Sequence, residues 1–160
     1  MQANQSWIDK IQVLLESADY RVAQSDDTLQ VYLKDTETLV LRLSLHQDAD
    51  DPSRCFVHFD MPLEMHIPEQ QWLKAAEEIM AFNRATPVGH FSLSEAAQPY
   101  LDYRLPVPAH GEFMLNLIEV VQLSFLFARH LAERLQSKLS DWLNASKGNG
   151  RNNGLASVSP

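Results

Sequence analysis

Trp7, Ile11, Leu14, Leu15 and Ala18 recur at the spacing of one helical face, which predicts an amphipathic first helix. Ser6 and Asp9 stand at its start as an S-x-x-D pair resembling a capping box. The period then changes. Residues 19–27, "DYRVAQSDD", read as a short extended piece and a polar turn. From Leu29 the apolar positions alternate: Leu29, Val31 and Leu33 with Gln30, Tyr32 and Lys34. After the turn around "KDTE", Leu39, Leu41, Leu43 and Leu45 alternate with Val40, Arg42, Ser44 and His46. The loop "HQDADDPSR" leads to Cys55, Val57, Phe59 and Met61, interleaved with Phe56, His58 and Asp60. A period of two marks a strand buried on one side, and it outweighs leucine's weak strand propensity. Connections this short suit antiparallel hairpins, because a parallel crossover needs a dozen residues or more.

The stretch "HIPEQQWLKAAEEIMAFNRAT" predicts a second helix, with Pro68 at its first position and Glu69 complementing the dipole. Trp72, Ala76, Ile79 and Met80 supply its expected packing face. Phe91 and Leu93 resume an inward strand face, and Leu101, Tyr103, Leu105 and Val107 form a further strand closed by Pro106 and Pro108. Pro99 interrupts the approach to it. A last helix spans about residues 112–143. Residues 145–160, rich in Gly, Asn and Ser, read as a disordered tail after a single domain over 1–144. The order is therefore helix, three or four strands, helix, two strands, helix. That is an α+β class with the helices on the apolar face of an antiparallel sheet.

Composition narrows the function. A net charge of −8 with only 13 basic residues, none of them in a run, argues against a nucleic-acid or anionic-membrane surface. The most apolar stretch, Phe113 to Ala128, carries Asn116, Glu119, Gln122 and Ser124 and is too short for a bilayer core of about 30 Å. The N-terminus lacks the pattern of a secretory signal, so the expectation is a cytoplasmic protein. A single cysteine, Cys55, excludes an internal disulfide and a cysteine-built zinc site.

The residues with chemical potential are few. His58 and Asp60 share one strand face, as do His46 and Arg42. A metal site there would need three or four converging ligands, so solvated side chains are the simpler reading. Cys55 alternates with Val57 and Phe59 and reads as a small buried hydrophobe. No nucleophile elbow occurs, and outside the tail the only glycines are the isolated Gly89 and Gly111. No cofactor is implied. The last helix carries a different signal. Phe113, Leu117, Val120, Val121, Phe125 and Phe127 cannot all face one sheet, so the helix must bury a second face. Phe113, Leu117, Val121, Phe125 and Leu126 are the residues expected at a homodimer or partner interface.

Asn83, Pro87, Gly89 and Phe91 in "NRATPVGHF", followed by "YLDYRLPV" and the long apolar helix, carry a resemblance. Together with "ADYRVAQSDDTLQVYLK", they make the chain similar to the YbjN-like family, bacterial proteins described as putative sensory transduction regulators. That family shares the fold of type III secretion chaperones. The resemblance implies an α-β-β-β-α-β-β-α domain that dimerises and binds an unfolded or amphipathic protein segment without catalysis. Asn83, Pro87 and Gly89 are then a structural turn. The competing reading is a small-ligand or metal-dependent enzyme that uses the histidine-bearing face of the sheet.

Overall fold

The alternating segments pair as antiparallel hairpins. The computed structural model describes residues 2–33, 36–51, 54–87, 90–107 and 113–149. Helix α1 (Gln2–Ser17) is followed by β1 (Arg21–Ser25), β2 (Thr28–Leu33), β3 (Thr36–Gln47) and β4 (Cys55–Pro62). A 3-10 turn (Glu69–Gln71) leads into α2 (Trp72–Ala85), then β5 (His90–Leu93), β6 (Pro99–Val107) and α3 (Phe113–Asn149). The short extended piece after α1 is thus a full strand, so four strands precede α2. All six strands form one antiparallel sheet in the order β1-β2-β3-β4-β6-β5. The fold class is α+β, as the periodicity predicts.

Register explains which side chains meet. Leu43 pairs with Phe59, and Phe59 with Tyr103, so the apolar residues of β3, β4 and β6 line one face. On that face Leu29, Val31, Leu41, Phe59 and Leu101 are buried. Helices α1 and α3 cover the face, while α2 packs on β5 and α3. Ring contacts place Phe82 of α2 beside Phe127 of α3, Glu78 pairs with Arg134, and Lys74 lies over Trp142. The two helices therefore run antiparallel. A leucine or phenylalanine buried this way contributes about 1.5–3 kcal/mol.

Local expectations shift in four places. Helix α1 begins at Gln2, so Ser6 lies inside it and not at its cap. Its buried face is Ile8, Ile11 and Leu15, with Trp7 and Leu14 only partly covered. In α2 the buried residues are Ala75, Ile79 and Phe82, whereas Trp72 and Met80 face outward. Ala75 sets the phase of the packing face, and the Trp72 indole N–H instead donates to the Ile67 carbonyl at 2.9 Å. Cys55 is half-buried and not in the core. Pro99, as the first residue of β6, does not break the β5–β6 hairpin; the turn residue Ala97 takes a φ of 58° instead.

Helix α3 continues to Asn149, past the expected domain end. Residues 150–160, and with them most of the expected tail, lie outside the described residues, as do Gly89, Gly111 and Glu112.

Candidate functional site

The described helices all lie on one side, and none of them covers the other face of the sheet. Its side chains come from the alternate positions of each strand: Arg42, Ser44 and His46 from β3; Phe56, His58 and Asp60 from β4; Asp102 and Arg104 from β6. Arg42 pairs across strands with Asp60 at 2.7 Å, and His58 Nε2 pairs with Asp102 Oδ1 at 2.8 Å. Ser44 Oγ lies 2.9 Å from His46 Nε2, and the His46 and His58 rings meet edge-on at 5.6 Å. Sequence spacing places His58 beside Asp60 on one face; the fold gives each a partner on a neighbouring strand. Among the described residues, no group of three or more His, Cys, Asp or Glu side chains is placed to hold a metal.

At one end of this face the β3–β4 hairpin stands over a cleft of about 550 Å³, lined by His46, Gln47, Asp48, Ala49, Phe56, His58 and Arg104. The hairpin is closed by the Asp48 N–H bonding the Arg54 carbonyl at 2.9 Å. One Asp48 carboxylate oxygen accepts from the Asp50 N–H at 2.9 Å, which ties that side chain into the turn. The hairpin sequence alone marks a loop; β6 completes the cleft by bringing Arg104 opposite His58.

The residues expected at an interface fall into two groups. Leu117 and Val121 are fully buried and Phe125 is 3% exposed, all within the single chain. Helix α3 satisfies its broad apolar circumference internally, because the sheet, α1 and α2 surround it. Leu126, at 45% exposure, is the one of these residues that reaches solvent. The side chain of Phe113 lies outside the described residues. More exposed apolar side chains lie elsewhere: Leu73 at 74% and Met80 at 55% on α2, and Val13 at 66% on α1. Leu73 and Met80 are seven positions apart and so share one helix face. Sequence reasoning assigns Met80 to the core and leaves Leu73 unremarked. The signal that could find them is the small residue Ala75, whose burial sets the helix phase.

The turn after α2 is held by Asn83. Its Nδ2 donates to the Phe91 carbonyl at 2.8 Å, and its Oδ1 accepts from the Phe91 N–H at 2.9 Å. The side chain thus pairs with β5 as a neighbouring strand would. Pro87 is exposed beside it.

No helix among the described residues is long and apolar enough to cross a membrane. No protein-family model matches the sequence, and comparison with curated proteins also finds no match. Among solved structures, the fold is similar to that of a chain in the HopA1–SchA chaperone–effector complex. The TM-score is 0.51 at 15% sequence identity, over 83% of this chain and 98% of that one. What the two share is the fold, in this chain an antiparallel sheet with flanking helices.

Proposed function

We propose that this chain is a non-catalytic, chaperone-like interaction domain of the YbjN-like kind that binds another polypeptide and acts as a cytoplasmic homodimer. The observation that carries the reading is the outward face of α2, where Leu73 and Met80 stand 74% and 55% exposed. Large side chains on one face of a well-packed helix gain most by meeting a second apolar surface, at about 25 cal/mol per Å² removed from water. The fold shared with a chain of a chaperone–effector complex supports the same reading. Leu126 is the part of the expected α3 interface that is accessible in the single chain.

Light scattering tests the dimer, with an expected mass of twice the 18.2 kDa chain. Leu73→Glu combined with Met80→Glu should yield a folded monomer. A photo-crosslinker placed at position 73 in the cell tests the partner. An adduct with another polypeptide supports the reading, and an adduct with a second copy supports its dimer. A monomer at every concentration, together with no adduct of either kind, overturns it.

A further inference from the structure

Two cross-strand pairs span the open sheet face. Arg42 meets Asp60 and His58 meets Asp102, at 2.7 and 2.8 Å. Arg104 is different. It is exposed, it stands directly across from His58 in the strand register, and its side chain has no ion-pair or hydrogen-bond partner among the described residues. Among the described residues, ion pairs join Arg42, Arg54 and Arg134 to carboxylates. An arginine left over at the rim of a cleft holds its fork of donors ready for an anion from outside.

We propose that the cleft between the β3–β4 hairpin and Arg104 is a binding site for a carboxylate carried on an apolar or flat stem. Three features fit that ligand. Its volume of about 550 Å³ lies within the range of small-ligand clefts, and it is large enough for a side chain with its flanking backbone. Half-buried Phe56 supplies an apolar surface for the stem, next to the His46 and His58 imidazoles. Arg104 is the one fixed cation among the described lining residues. A single fixed guanidinium balances one carboxylate, whereas a phosphate dianion calls for a cluster of cations. Asp48 also lines the cleft; its carboxylate keeps its charge, and the Asp50 N–H holds one of its oxygens in the turn at 2.9 Å.

The carboxylate can come from an acidic segment of a polypeptide or from a free small acid, and the test separates the two. The protein is labelled with nitrogen-15 and titrated with butyrate, benzoate, inorganic phosphate and a blocked Leu-Glu-Leu peptide. The readouts are the Arg104 side-chain Nε–H and the backbone amides of His46, Phe56 and His58. Saturable shifts at these groups with a carboxylate probe, lost in Arg104→Gln and partly restored in Arg104→Lys, are the expected result. Tighter binding of the peptide assigns the polypeptide source, and tighter binding of butyrate or benzoate assigns a free acid. Because Arg104 has no partner to lose, Arg104→Gln should keep the wild-type melting temperature. Shifts that persist in Arg104→Gln, equal binding of phosphate, or no saturable shift with any probe would overturn the site. The α2 surface is separate, so dimer mass and crosslinking at position 73 should be unchanged in Arg104→Gln. A failure here is thus distinguishable from a failure of the polypeptide-binding reading.

Discussion

Single side chains decide how the elements join. Asn83 is a helix residue that completes a strand, since its amide both donates to and accepts from the Phe91 backbone. Alanine there leaves two backbone groups of β5 without partners, at a cost of about 2 kcal/mol. For a chain of this length that corresponds to a fall in melting temperature of roughly 4–8 °C, measurable by calorimetry. Asn83→Asp keeps the acceptor and loses the donor, so it should fall between the two. The sequence marks Asn83 as a side chain suited to bonding a turn's backbone, but only the fold names Phe91 as its partner. Tyr20 joins α1 to the core in another way, its ring stacked on Phe125 at 6.0 Å. Burial pushes its phenol pKa above the ordinary value. The folded state therefore holds this proton more tightly than the unfolded chain does. The resulting stability is present in full below the unfolded value and is lost as pH rises through the folded one. Urea unfolding should show an alkaline decline above about pH 10 that is shallower in Tyr20→Phe.

At the scale of elements, the informative contrast lies along α3. Leu117, Val121, Ser124, Ala128, Leu131 and Leu135 form a buried stripe at helical spacing, flanked by Val120 and Phe125. Ser124 is tolerated within it because its hydroxyl donates to the Val120 carbonyl at 2.7 Å. Leu126 sits on the opposite, wet side with Gln122, Arg129 and His130. Val121→Glu should therefore unfold the chain rather than separate two copies, at a cost on the order of 3–5 kcal/mol. Leu126→Glu should stay within about 0.5 kcal/mol of wild type in the monomer. Circular dichroism with urea titration distinguishes them. The sequence shows that α3 is apolar on several sides, yet it does not say what meets those sides. For α2 the shortfall has a different cause. Counting large apolar residues favours Trp72 and Met80, whereas the helix is phased by Ala75, which fits close to its neighbours because it is small.

Across the whole molecule, the strict period of two in β2, β3, β4 and β6 made the sheet legible, since one buried face forces alternation. Strand β1 was harder to read. Its residues are mostly exposed, so alternation leaves little trace in them. The candidate cleft was half legible: His46, His58 and Phe56 lie close in sequence on two predicted strands. Arg104 joins them only through the β4–β6 register, which no local pattern encodes. That same strand order bears on how the chain folds. Strands β1 to β4 are neighbours in sequence as well as in space, so they can zip together from local contacts. The β4–β6 ladder, in which Pro62 faces Tyr100, can form only after α2 and β5 have been looped out between them. Closing that longer loop costs additional chain entropy before any contact repays it. We expect the meander to be built at the rate-limiting step and the β6 side to dock afterwards. In stopped-flow measurements, Val31→Ala should then chiefly slow refolding and Leu101→Ala chiefly speed unfolding. The reverse pattern would place the nucleus at β4–β6.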